Sequence, residues 1–214
     1  MTQPSEQPAT DRDATDGSGP TEPAERRQLT SAKEMRALAH PLRVAATELL
    51  AREGPMTATQ LGEILGESPA NMSFHLRTLA KYGFIEETPG GTGRERLWSR
   101  VGRGTAWEMD SEDAATASAA LGLSRHLAQR AYERRQEWDL TRSTYPREWR
   151  QASFVYDITT YLTADELDAL GEQISALLER YAERTSDRTL RPEGAEPVSI
   201  VVSGHPLPPT PSGN

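Results

Sequence analysis

Cysteine is absent from the 214-residue chain, which removes disulfides, thiolate metal sites and cysteine nucleophiles together. Long apolar runs are missing too, and residues 1–30 lack the basic start and apolar middle of a secretory leader. The expected location is the cytoplasm, with no membrane partner. Lysine is nearly absent: Lys33 and Lys81 are the exceptions among 24 basic residues, the rest being arginine. No Ser-His-Asp spacing, paired carboxylate site or cluster of metal-ligand residues stands out, so the reading is of a protein that is no enzyme, with no metal site and no cofactor. Positive charge is in deficit overall, with a net charge of −8, which counts against nucleic-acid binding, a function that leaves a basic footprint.

The deficit is unevenly spread. Residues 31–103 carry 10 basic and 8 acidic side chains, whereas residues 1–30 carry 3 and 6 and residues 104–214 carry 11 and 18. The middle third is the basic part, and its cations are mostly arginines, whose planar forks suit phosphate oxygens and guanine edges. Arginine bias also follows from genome composition.

What is present sorts into blocks. Residues 1–30 hold few large apolar side chains and many Pro, Gly, Ser, Thr and acids, a composition that cannot offset its ordering entropy and predicts a disordered tail. Residues 204–214 have the same character. Between them, helix starts are legible from capping chemistry: Ser31 with Glu34, Thr57 with Gln60 and Thr163 with Glu166 fit the capping box, and Ser68 precedes Pro69. A helix is predicted from Ser31 to Leu38, and a second from Pro41, turning Leu42, Ala45, Ala46, Leu49 and Leu50 to one face until Gly54 and Pro55 end it. His40 is expected to cap that second helix.

A helix from Ala58 to Leu65, with Leu61, Ile64 and Leu65 inward, and another from Pro69 to Tyr82, with Met72, Leu76 and Leu79 inward, are separated only by Gly66, Glu67 and Ser68. That spacing is a helix-turn-helix. Gly83 is placed to stop the second helix in a left-handed conformation, FIEET then reads as a strand, PGGTGR as a hairpin tip and ERLWSRV as the returning strand. A helix-turn-helix followed by a glycine-tipped hairpin is a winged helix. The GGTG of the tip lacks the Gly-Lys-Ser/Thr of a phosphate loop, so nucleotide binding is not expected.

The segments ALAHPLRVAATELL, MTATQLGEILGESPANMSFHLRTLAKYGFIEE and GGTGRERLW, spanning Ala37 to Val101, resemble the ArsR-like winged-helix transcriptional regulators of bacteria. The resemblance implies a dimeric DNA-binding repressor or activator. One departure matters: metal sensors of that family carry a cysteine pair in the first helix of the motif, where this chain has QLGEILG, with Gly62 and Ile64 at about those positions. That metal site is missing here.

A recognition helix buries one face and holds short polar or basic side chains on the other near its N-terminus. The outward positions of residues 69–82 are Ala70, Asn71, Ser73, Phe74, Arg77 and Thr78. Asn71, Ser73 and Arg77 are the expected base readers, since asparagine pairs with adenine and arginine with guanine, and Ala70 or Phe74 suits a thymine methyl. The free N–H groups after Thr57 and Ser68, with the Thr59 hydroxyl, suit phosphate. Arg94 and Arg96 on the wing, residues 89–96, suit backbone or minor groove. The bland alternatives stay open: Arg77 as a solvated charge, Phe74 as a partly buried anchor, His75 as a packing residue.

Downstream, residues 111–142 read as an alanine-rich helix whose Ala117, Leu121, Ala128 and Tyr132 form a stripe suited to a homodimer interface or to packing within the subunit. Residues 148–203 read as a small α+β unit: strand spacing in FVYDITTYL, an amphipathic helix in TADELDALGEQISALLERYAER and a strand in VSIVV. Trp138, Tyr145, Trp149, Phe154 and Tyr156 are expected in its core, with the lining of a small-molecule effector pocket as the other reading. The expected fold is thus mainly α with small β elements: a winged helix-turn-helix DNA-binding domain over residues 31–103, a helical dimerisation segment and a small α+β C-terminal unit. The expected partner is double-stranded DNA. A winged-helix protein-interaction module without specific DNA binding is the alternative.

Overall fold

The computed structural model describes residues 27–91, 95–102 and 104–209. Most of the predicted N-terminal tail, the hairpin tip with Arg94, and the last five residues therefore lie outside the described residues.

The chain begins with a short strand, β1 (Arg27–Leu29), that pairs in parallel with β5 (Thr105–Trp107), Arg27 opposite Thr105 and Leu29 opposite Trp107. The predicted tail of residues 1–30 is corrected at this end. Leu29 is 1% exposed, and burying a leucine contributes about 1.5–3 kcal/mol, enough to hold a three-residue strand in place. Then follow α1 (Ala32–Leu38) and α2 (Pro41–Glu53). Ser31 caps α1 by accepting from the Glu34 N–H (3.3 Å). The expected reciprocal bond is replaced, because the Glu34 carboxylate accepts instead from the Ser31 hydroxyl (2.9 Å) and from Arg27 (2.6 Å). His40 caps α2 as expected, its Nδ1 accepting from the Leu42 N–H (3.2 Å). The buried face of α2 includes Val44 and Thr47 as well as Ala46, Leu49 and Leu50, while Leu42 and Ala45 are half-buried.

The central unit comprises β2 (Met56–Thr57), α3 (Ala58–Leu65), α4 (Pro69–Lys81), β3 (Ile85–Thr88) and β4 (Leu97–Arg100). β4 lies between β2 and β3, antiparallel to both. Leu61, Met72, Leu76 and Leu79 are completely buried, as their spacing predicts. Ile64 is the exception: it is 54% exposed, because α3 is held by its Leu61–Gly62 side and its last turn swings Ile64 outward. Gly83 has φ of 69°, the left-handed stop expected of it. The Gly83 N–H donates to the Ala80 carbonyl and the Phe84 N–H to the Leu79 carbonyl (3.0 Å), so the chain turns directly into β3.

Beyond β5, α5 (Ala114–Thr141) is a 28-residue helix capped by Asp113. It packs on α1 through Ala119, Ala120 and Leu123, all buried, with Leu127 next along that face. This is not the predicted stripe: Leu121, Ala128 and Tyr132 face outward, and Ala117 is half-buried. The Trp107 indole N–H donates to the Ser124 hydroxyl (3.0 Å), tying β5 to α5. Glu48 of α2 accepts from Arg130 (3.2 Å) and from Arg134, so an ion-paired clamp joins the scaffold helix to the long helix.

The C-terminal unit departs from expectation. The predicted amphipathic helix is present but broken into α7 (Ala164–Glu179), which carries the complete capping box of Thr163 and Glu166, and α8 (Glu183–Ser186), and a short helix not read from the sequence, α6 (Arg147–Ala152), precedes them. Neither FVYDITTYL nor VSIVV forms a strand, and Phe154, Tyr156, Ile158, Ile200 and Val201 are exposed. The α+β reading of residues 148–203 is therefore corrected to helices joined by extended chain. Alternation creates a strand only where a partner edge accepts its hydrogen bonds, and among the described residues neither segment meets one. The expected aromatic core is likewise open: Trp138 stacks edge-on against Tyr145 (5.0 Å) and Phe154 lies by Tyr156 (5.3 Å), but no residue of α6 or α7 is buried. Among the described residues, then, the architecture is mainly helical with two small sheets, a winged helix-turn-helix followed by a long helix and further helices.

Candidate nucleic-acid interface

The outer face of α4 is built by what its inner face must do. With Met72, Leu76 and Leu79 sealed in the core and His75 buried beside them, the helical period turns Ala70, Ser73, Phe74 and Arg77 outward. His75 stacks on His40 at 4.5 Å and meets Phe74 edge-on at 5.4 Å. It is thus a packing residue, and its Nδ1 is buried without a hydrogen-bond partner among the described residues. Burial holds both imidazoles below their ordinary values, with Arg43 repelling the protonated form of each and Glu67 opposing the shift.

The two helix starts differ. Thr57 is buried, its hydroxyl accepting from the Gln60 N–H (3.2 Å) while the Gln60 amide oxygen accepts from the Thr57 N–H (2.8 Å). This closed box commits the Thr57 side chain to the fold. Ser68 is exposed and accepts from the Asn71 N–H (3.2 Å). Other first-turn N–H groups of both helices have no partner inside the helix, as at any helix start.

A depression of about 310 Å³ lies between these helix starts and the base of the wing. Thr57, Thr59, Ser73, Arg77 and Arg96, five of the residues expected from sequence, share its walls with Pro69 and Trp98. Asn71, Ala70, Phe74 and Thr78 lie elsewhere on α4. Phe74 is 57% exposed, its ring resting edge-on against the buried His75, so it is a partly buried position that still presents a face to solvent. The Thr78 hydroxyl donates back to the Phe74 carbonyl (3.1 Å).

Three carboxylates at this surface were not anticipated. Glu67 accepts from the Asn71 amide (2.7 Å), Glu95 from the Thr59 hydroxyl (3.1 Å), and Glu87 pairs with Arg96 (3.2 Å). The first was legible as an i, i+4 pair across the helix start; the second joins residues 36 apart and leaves no local trace. Arg77 is exposed and makes no ion pair among the described residues.

Comparison with known proteins places a class on this region first. Residues 38–88, from the end of α1 to the end of β3, match the profile of a family described as "Helix-turn-helix domain". Among solved structures, the chain is similar to a variant of ZitR from Lactococcus lactis, with 21% identity, 72% of this chain and 75% of that chain covered, and a TM-score of 0.26. It is also similar to NMB1585, a MarR family regulator from Neisseria meningitidis (22% identity, 69% and 78% covered, TM-score 0.29). A third is a MarR variant from E. coli complexed with operator DNA (18% identity, 70% and 76% covered, TM-score 0.24). TM-scores this low leave the fold described above resting on its own residues. No curated protein matches the chain.

Proposed function

We propose that the chain is a sequence-specific DNA-binding transcription regulator of the ArsR-like winged-helix kind, reading the major groove with α4 and the backbone or minor groove with the wing, residues 89–96. The supporting observation is the convergence of Thr59, Ser73, Arg77 and Arg96 on one depression, opposite a helix face sealed into the core. Arg77 takes guanine, Asn71 adenine, and Ala70 or Phe74 a thymine methyl. Thr57 and Ser68 contribute as caps, presenting first-turn N–H groups to phosphate. Asn71, Thr59 and Arg96 must leave Glu67, Glu95 and Glu87 to engage DNA, an exchange that disfavours phosphate contact unless base contacts add to it.

In this reading residues 31–103 bind DNA and a second copy of the chain docks along α5. The outward Leu121, Ala128 and Tyr132 support that occupant, because two half-sites on DNA require a two-fold pair of reading helices and Leu121 and Tyr132 are exposed in the single chain. Residues 148–203 then extend the dimer. No catalytic role is assigned.

A gel-shift screen with DNA upstream of the chain's own gene cluster tests the proposal. Retarded, competitor-resistant complexes that Asn71→Ala and Arg77→Ala abolish are expected. Absence of duplex binding, with a protein partner captured through the same helix face, would replace it with an interaction module.

A further inference from the structure

The joint between the scaffold helix and the reading helix is made of two titratable rings. His75 lies buried under α4, and its imidazole stacks on that of His40, the residue that caps α2, with 4.5 Å between centroids. Phe74, on the outer face of α4, meets His75 edge-on at 5.4 Å, so the joint is one side chain from the surface that carries Ser73 and Arg77.

Both rings are placed as neutral imidazoles. The His40 Nδ1 accepts from the Leu42 N–H (3.2 Å), which requires a free lone pair on that nitrogen. The His75 Nδ1 is buried with no partner among the described residues. An imidazolium carries a proton on each nitrogen and has no acceptor left. Protonating His40 therefore sets one N–H against another and takes the cap from α2. Protonating His75 puts a charged N–H in the core with nothing to receive it, which is costly. The neighbouring charges add to both penalties. Arg43 of α2 faces both rings, His126 of α5 faces His40, and Glu67, in the turn before α4, is the carboxylate that opposes them. Glu67 is already engaged by the Asn71 amide (2.7 Å). Arg43 donates through Nη2 to the Arg36 carbonyl of α1 (3.1 Å), while its Nε is buried without a partner among the described residues. A second cation beside Arg43 thus finds one carboxylate, and that one is taken.

We propose that the His40–His75 stack is a proton switch for the reading helix. With both rings neutral, α4 is seated on α2. A proton on either ring turns His40, already half-exposed, out to solvent, breaks the stack and loosens α4. The effect on DNA rests on the DNA-binding reading above, whereas the seating of α4 does not. Direction separates the switch from plain attraction. A histidine that gains a proton near DNA adds positive charge, and attraction alone tightens binding as pH falls. Under the switch the bound form excludes the proton, so binding loosens below the ordinary imidazole value of 6.5, by up to about ten-fold per pH unit for each proton excluded.

Fluorescence-anisotropy titration of the full chain against the duplex selected by gel shift, at constant ionic strength from pH 7.5 to 5.5, tests the switch. Wild-type affinity should fall about three- to ten-fold over that range. The double variant His40→Asn, His75→Gln, which keeps a capping oxygen at 40 and a polar side chain at 75, should flatten the profile. A wild-type affinity that stays level or rises, an equal fall in the double variant, or a fall that tracks loss of helical circular dichroism overturns the switch. NMR titration of the free chain tests the seating without DNA and without variants: both imidazoles should titrate below 6.5 and the amides of α4 should move with them. Titration that leaves those amides in place overturns the switch. If the chain binds no duplex, the function fails while the NMR titration still decides whether protons unseat α4.

Discussion

Substituting alanine at Gly62 and at Gly122 places the same methyl group in two helices with opposite expected outcomes. A Cβ at Gly62 would lie 2.5 Å from the Glu67 carbonyl oxygen and 3.6 Å from Met72 Cγ. The first neighbour is backbone, held there because the Glu67 N–H donates to the Gly62 carbonyl (2.9 Å) and Gly66 takes φ of 70°. No rotamer relieves that contact, so the turn itself must move. Overpacking of this severity costs about 3 kcal/mol, and alanine returns about 1 kcal/mol of helix propensity, leaving a net loss of about 2 kcal/mol. At Gly122 no atom lies within 4 Å, so the gain of about 0.5–1 kcal/mol stands alone. At about 2–4 °C per kcal/mol for a chain of this size, Gly62→Ala should melt about 4–8 °C lower and Gly122→Ala about 1–4 °C higher than the wild type. Circular-dichroism melts, with urea unfolding as a second measure, read both. Gly62→Ala should also weaken DNA binding, because the displaced turn changes the angle between α3 and α4. A Gly62→Ala protein as stable as the wild type would refute the close turn on which the helix-turn-helix geometry depends.

Glu95→Gln, by removing a carboxylate charge from the depression while leaving an amide oxygen beside the Thr59 hydroxyl, should tighten DNA binding at low salt by about 1 kcal/mol, roughly five-fold, in a gel shift. Glu48→Gln takes the shared carboxylate from Arg130 and Arg134, leaving Arg130 with Glu133 alone. Because these groups are about one-third exposed, the loss should be near the surface-pair range, about 1 kcal/mol by urea unfolding and smaller in high salt. Burial, then Arg43, hold His40 and His75 below the ordinary value of 6.5, so below that pH the unfolded chain binds more protons than the folded one. Their contribution is present above 6.5 and lost as pH falls toward the folded values,. The urea midpoint should decline between about pH 7.5 and 5.5, and decline less in His75→Gln. This window lies above the range in which Glu34 protonates, its carboxyl being held low by Arg27 and Ser31 against the opposing effect of burial.

The legible part of the fold is the part specified by local chemistry. Ser31, Thr57, Ser68 and Thr163 each cap the helix they precede, since a cap and its partner N–H lie three residues apart. The Met72, Leu76 and Leu79 stripe was readable because one helix face meets one core. Pairings between distant segments were not. β1 and β5 are three residues each, too short for any period, and only their meeting makes them strands. In α5 two stripes are similarly apolar, and packing on α1 selects Ala119, Ala120 and Leu123 over the one containing Leu121 and Tyr132. In the depression the sequence suggested several of the lining side chains, such as Thr59, Ser73 and Arg77, but not the carboxylate of Glu95, because its bond to Thr59 crosses from α3 to the wing.

The central claim is that α4 reads base edges. Fluorescence-anisotropy titration of the wild type and Arg77→Ala against the selected duplex and a scrambled one, over a range of salt, tests it most directly. The account predicts that the wild type prefers the selected duplex, that its affinity falls linearly with the logarithm of salt, and that Arg77→Ala loses about 1–3 kcal/mol on the selected duplex and most of the preference. Equal affinities of wild type and Arg77→Ala for both duplexes, unaffected by salt, would contradict it.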